Sequence, residues 1–234
     1  MLLIVPLVAG YVSSTGILNN TCGFTSQPDT DALKIAVFDS LSTTHPDGAF
    51  VDSLSQVARQ HGYSLEYYPP DSSTVDMLAN LPYLGYSLVI FRTHGATVDY
   101  PVIGTSDPYD GEQRIGDQLG NRIVNLRVQG YQYFAVTPSF VENDMCGQFK
   151  ATTILAMGCS TMSTNALARA FVERGAKAFV GWTGSVTVSY TDFIFGHLAR
   201  SLVSGETVTH SVQGIIQAFG PDPATGSSIA YYPA

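Results

Sequence analysis

The chain has 234 residues, 45% of them hydrophobic, with 22 glycines, 12 prolines and a formal net charge of −8. So apolar a chain, rich in aromatics and poor in charge, buries a substantial core and is not a disordered segment. Its eleven Lys and Arg residues are scattered, and an acidic chain without a basic face argues against a nucleic-acid partner.

Residues 1–32 read as an N-terminal segment and linker. The apolar run Leu2–Ala9 contains Pro6 and gives way to Gly10 and Ser13-Ser14-Thr15. It is shorter than the roughly 20 apolar residues of a membrane helix. It has the character of an export-signal h-region or a membrane attachment, with a buried N-terminal strand as the competing reading. Asn19-Asn20-Thr21 is an N-glycosylation sequon, which matters only on an exported chain. The expected location is therefore outside the cell or on its surface, and otherwise the cytoplasm.

The main domain is expected over residues 33–220. Leu33–Asp39 reads as a core strand, and Asp47-Gly48 opens a helix whose Phe50, Val51, Leu54, Val57 and Ala58 recur at three-to-four spacing as far as about His61. Ser64–Tyr68 is a second strand, residues 74–80 a short helix, and Tyr86–Phe91 a third strand. Strands separated by helices imply a parallel sheet with crossover connections. Residues 96–122, rich in Gly, Asp, Pro and Tyr, read as a long functional loop. Ile123–Val128 and Tyr131–Val136, joined by Gln129-Gly130, form a β-hairpin. Val136–Val141 then returns the chain to the sheet, so an insertion of about residues 96–150 lies beside or over the site. Thr153–Met157 is the next core strand, followed by a helix over 165–174, a strand over 176–182 and two amphipathic helices. Residues 221–234 read as a turn-rich tail on the surface.

Two of these strands end on chemistry. One runs Leu88-Val89-Ile90-Phe91-Arg92-Thr93 into His94-Gly95, and the other runs Ile154-Leu155-Ala156-Met157 into Gly158-Cys159. In an open parallel sheet ligands collect outside the carboxyl ends of the strands. If these two strands are neighbours, His94 and Cys159 face one crevice as general base and nucleophile. Gly95 and Gly158 would let a substrate approach the backbone, and amide N–H groups near Gly95 and Cys159 would hold an oxyanion. Each residue taken singly has a plainer explanation. A solitary Cys is most often a core residue, and His45, His61, His197 and His210 fit turn and helix-surface positions. It is the order and strand context of His94 and Cys159 that favours the chemical reading.

The same residues resemble those of the caspase–gingipain–clostripain–legumain clan of cysteine peptidases, in which one hydrophobic strand ends in His-Gly and a later one in Ala-Cys or Gly-Cys. The continuation Leu167–Trp182 is similar to the segment that follows the Cys in gingipain-like domains. The resemblance implies a three-layer α/β/α sandwich around a mostly parallel sheet, with His94 as base and Cys159 as nucleophile. The caspase pattern Gln-Ala-Cys-x-Gly is replaced here by Met157-Gly158-Cys159-Ser160-Thr161, which favours the gingipain-like branch. A protein or peptide substrate follows from the resemblance.

Substrate contacts are assigned to Trp182, at a strand end, and to Asp39 and Asp99, whose carboxylates suit a basic side chain. Arg92 is expected to support the loop beside His94. No cofactor is implied. Three cysteines without a CxxC pair make a zinc site improbable, and Asp107, Asp110, Glu112 and Asp117 do not match a calcium loop. With Cys159 reserved for chemistry, Cys22 and Cys146 either pair in an oxidising compartment or stay free. The competing function is a caspase-like domain without turnover that binds a protein partner. A nucleophile elbow of the Gly-x-Cys-x-Gly kind is absent, which sets a generic hydrolase aside.

Overall fold

The computed structural model describes residues 33–233; the export-type segment at residues 1–32 lies outside the described residues. The chain opens with β1 (Lys34–Phe38), α1 (Gly48–Gln60), β2 (Ser64–Tyr68), α2 (Val75–Asn80) and β3 (Leu88–Phe91). An antiparallel excursion follows: β4 (Gly95–Thr97), β5 (Pro101–Pro108), the short α3 (Ile115–Leu119), β6 (Ile123–Val128), β7 (Tyr131–Val136) and α4 (Pro138–Asn143). It ends with β8 (Thr153–Ala156), α5 (Ala166–Glu173), β9 (Ala178–Trp182), α6 (Val188–Val203), α7 (Val208–Phe219) and β10 (Ile229–Tyr232).

The fold is α/β. Its main sheet has the order β10-β9-β8-β3-β1-β2, parallel throughout except for β10. Alternation along each strand divides the core into two layers. Ile35, Val37, Leu88, Ile90, Leu155 and Val180 pack with Phe50 and Leu54 of α1, Phe195 and Leu198 of α6 and Val212 of α7. Ala36, Phe38, Val89, Phe91, Ile154 and Phe179 turn the other way, onto Leu78 of α2, Phe140 of α4 and Leu167 and Phe171 of α5. Strands covered on both faces lose the polar alternation of a half-exposed sheet, which is why they read as continuous apolar runs.

Local signals fix the helix ends. Asp47 accepts from the Phe50 N–H at 3.0 Å to cap α1, and Gly62 follows that helix with φ +77. Thr74, Thr137 and Thr207 cap α2, α4 and α7 in the same way. The hairpin between β6 and β7 turns on Gln129 and Gly130, both with positive φ (51° and 87°), the geometry that a tight reversal between twisted strands needs.

Two expectations change, and one stretch without an expected element gains one. Residues 96–122 are not a loop: β4 and β5 join the β6–β7 hairpin in a second, four-stranded antiparallel sheet of order β4-β5-β7-β6. The partner of β5 is β7, some thirty positions away, so its stability comes from pairing that no local periodicity announces. Residues 138–143 form a helix, with Pro138 at its first turn where a missing N–H costs nothing. The tail is not a surface appendage either, because Ile229–Tyr232 closes the edge of the main sheet against β9. Among the described residues, no helix is long and apolar enough to cross a membrane.

Candidate functional site

Strands β3 and β8 are direct neighbours, paired in parallel from Leu88↔Thr153 to Phe91↔Ala156. The pairing runs on past the strands, since the Met157 N–H donates to the Phe91 carbonyl at 2.9 Å. Beyond the paired residues, the chain runs from β3 to His94 and from β8 to Cys159. Just past β3, the Arg92 side chain meets Asp192 of α6, on the side of the sheet that carries α1, α6 and α7.

Glycine is required at both strand ends, for a reason other than substrate approach. A Cβ on Gly158 would stand 2.6 Å from the Gly95 nitrogen and 2.8 Å from the Thr93 oxygen, and a Cβ on Gly95 would stand 2.7 Å from the Cys159 oxygen. The two backbones face each other, and only the absence of both side chains lets the His-bearing and Cys-bearing segments meet. Gly158→Ala is therefore expected to cost about 1–3 kcal/mol in urea unfolding, since the clash is with backbone that cannot swing aside. An unchanged midpoint would show that the contact is not needed.

The turn carrying Cys159 is tied down on every side but one. Thr161 Oγ1 lies 3.2 Å from the Ala156 carbonyl and 3.1 Å from that of Gly158, and accepts from the Trp182 N–H. Ser160 adopts φ +58, a left-handed conformation uncommon for a residue with a side chain, and its N–H donates to the Gly184 carbonyl at 2.8 Å. The Cys159 N–H meets no acceptor within the described chain. The half-buried Cys159 Sγ receives the Val186 N–H at 3.4 Å and faces the Val186 carbonyl at 3.6 Å. Val186 lies in the loop between β9 and α6, and nothing in its residue type marks it in the sequence.

His94 is half-buried, and its carbonyl accepts from the Gly104 N–H at 2.8 Å, which anchors it to β5. Its ring makes no hydrogen bond within the described chain. Burial, and then the neighbouring His45, hold the His94 imidazole below the usual histidine range, which favours the neutral ring. The His94 C2 proton is expected to titrate by NMR with a midpoint below about 6.5, the unperturbed value. Because the folded chain binds this proton less readily than the unfolded one, the group contributes stability above that unfolded value and loses it as pH falls. A midpoint at or above it would contradict the burial.

Beneath the pair sits Arg92, with no exposed surface. Its Nη1 donates to Asp39 Oδ1 at 2.8 Å, Nε and Nη2 bind the two oxygens of Asp192 at 2.8 and 2.9 Å, and Nη2 also reaches the His45 carbonyl at 2.9 Å. Although burial opposes it, Asp192 and Asp39 push the guanidinium above its ordinary value. Thus Arg92 ties together the ends of β1 and β3, α6 and the loop carrying His45. The crevice at the β1–β3 switch point, where the direction of sheet growth reverses, is filled by this cluster and not by open space.

That cluster removes Asp39 from the substrate contacts. Its carboxylate is 1% exposed, bound to Arg92, the Ser42 N–H and the Tyr67 hydroxyl, and burial raises it above the usual carboxylate range. Trp182 is likewise core: its indole N–H donates to Thr191 Oγ1 at 2.8 Å, and that hydroxyl donates to the Met157 carbonyl. Asp99 is exposed, at the turn between β4 and β5. Thr97 of β4 meets Ser163 through their hydroxyls at 2.6 Å, so the small sheet flanks the segment after Cys159. In the insertion, Asp107 holds the Val75 N–H, Asp110 the Glu112 N–H and Asp117 the Arg122 guanidinium.

Cys146 is disulfide-bonded and Cys159 is free; Cys22 lies outside the described residues. Among the described residues, no cluster of three or more His, Cys, Asp or Glu side chains is placed to hold a metal. A cavity of about 410 Å³ between α1 and α6, lined by Phe50, Phe193, His197 and Arg200 among others, reaches this cluster only through its wall residue Asp192.

No protein-family model matches the chain, and no curated protein is significantly similar to it in sequence. Its functional reading therefore rests on its own residues.

Proposed function

We propose that the chain is a cysteine endopeptidase of the caspase-like kind, its sheet and flanking helices forming a three-layer α/β/α sandwich. The observation that supports this reading is that β3 and β8, the strands leading to His94 and Cys159, are parallel neighbours whose ends meet at Gly95 and Gly158. His94 takes the Cys159 proton, the sulfur attacks the scissile carbonyl, and the Cys159 N–H, with backbone near Gly95, receives the oxyanion. The leaving amine takes the proton back from His94, and water then releases the acyl group. The disulfide at Cys146 supports an oxidising compartment, and with it export or surface attachment through residues 1–32.

A positional-scanning peptide library tests this. Cleavage of internal peptide bonds is expected, blocked by one equivalent of iodoacetamide on Cys159. The absence of cleavage across the library would remove the reading.

One observation favours a second function, a protein-binding domain without turnover. Among the described residues Sγ hydrogen-bonds to Val186 and not to His94, whose ring has no hydrogen bond there. That function predicts binding of a protein partner unaffected by alkylation of Cys159.

A further inference from the structure

The loop between β9 and α6, residues 183–187, bonds to the segment Asp222–Ser228 on one side and to the Cys159–Ser160 turn on the other, where the Gly184 carbonyl accepts the Ser160 N–H at 2.8 Å. Thr183 exchanges bonds with Ser228: its N–H donates to the Ser228 carbonyl at 2.9 Å, and its hydroxyl accepts the Ser228 N–H at 3.2 Å. The Gly184 N–H donates to Ser227 Oγ at 2.9 Å, and the Ser185 carbonyl accepts the Thr225 hydroxyl at 2.6 Å. The Thr187 N–H donates to Asp222 Oδ2 at 2.7 Å. Four of the five loop residues are thus tied to the segment Asp222–Ser228. The fifth, Val186, is tied through both backbone groups to the Cys159 sulfur.

The segment is itself a closed unit. Asp222 is 1% exposed, its other oxygen accepts the Ala224 N–H at 2.8 Å, and its own N–H donates to the Ser227 carbonyl. Against its burial, the Thr187 and Ala224 N–H groups hold its carboxyl below the usual range. Immediately afterwards β10 pairs with β9, which fixes the segment to the sheet edge.

We infer that Asp222–Ser228 is a latch on the Cys159 thiol, with Asp222 and Thr225 as positioning residues that act through Val186. This rests on the peptidase reading for its purpose, though not for its geometry. While the latch is closed, both hydrogen-bond partners of the sulfur among the described residues lie on Val186. Loosening residues 183–187 frees the sulfur to turn toward the imidazole and toward solvent.

The test is the rate at which iodoacetamide labels Cys159 in the folded, full-length chain. Thr225 is exposed, so Thr225→Val removes one hydroxyl without disturbing the core. It should speed labelling about fivefold, the factor set by about 1 kcal/mol of lost hydrogen bonding. Asp222→Asn should act in the same direction, and Thr225→Ser, which keeps the hydroxyl, should label like the parent. Ile215→Val, a mildly destabilising change on α7, should leave the rate alone, separating the latch from general loosening. Equal or slower labelling in Thr225→Val overturns the inference, as does acceleration by Ile215→Val of the same size. Peptide hydrolysis is followed in parallel. Faster labelling without hydrolysis in any variant keeps the latch and removes the peptidase, whereas hydrolysis with unchanged labelling does the reverse.

Discussion

Cys159→Ala is expected to lower kcat for peptide cleavage by on the order of 10⁴-fold or more, the scale on which removal of a covalent nucleophile acts. On the peptidase proposal His94→Ala should fall by a similar factor, and the double variant by little more than either alone, since a nucleophile and its base act as a unit. The stability of Cys159→Ala should stay close to that of the parent. The sulfur's two contacts, at 3.4 and 3.6 Å to Val186, are long and weak, and the turn is held instead by Thr161 and by the Ser160 N–H. Progress curves on the best library peptide, paired with urea unfolding, read both quantities. Cleavage that survives Cys159→Ala at more than a few per cent would place the chemistry elsewhere.

Arg92→Leu is expected to have the largest effect on stability, about 3–5 kcal/mol, because it leaves buried carboxylates without their partner. Asp39 is 1% exposed and Asp192 11%, and both point at the site of the lost guanidinium. Against the 5–15 kcal/mol typical of a folded domain this loss is severe. Arg92→Lys should recover only part of it, since a single ammonium cannot match the fork that meets Asp39, Asp192 and the His45 carbonyl together. Urea midpoints compared at constant m-value measure the loss. A change below about 1 kcal/mol would mean that water replaces the guanidinium and that the cluster is not a tether.

How much of this was legible beforehand depended on the range of the interaction responsible. The strands Lys34–Phe38, Leu88–Phe91 and Thr153–Ala156 are short apolar runs because both of their faces are covered, and that burial is written into the residues themselves. The helix over 48–60 carries its own cap in Asp47 and its own face in Phe50, Leu54 and Val57. Gln129-Gly130 announces its hairpin through local backbone preference. By contrast, β5 is bounded by two prolines and depends on β7 for its pairing, while β10 depends on β9. Neither has a local pattern strong enough to stand out from turn-rich sequence.

The same division holds at the site. Sequence alone determined that a His-Gly and a Gly-Cys each end a buried apolar strand, since those signals are local. Only the tertiary structure decided that the strands are neighbours, that their glycines exist for each other, and that Asp39 and Trp182 belong to the core. Nor could the sequence reveal that Arg92 gathers carboxylates from the end of β1 and from α6, that Val186 meets the thiol, or that Asp222 binds the neighbouring Thr187 N–H. Those contacts join residues 27 to 100 positions apart, and their partners are ordinary residue types that acquire a role only when folding brings them within hydrogen-bond distance.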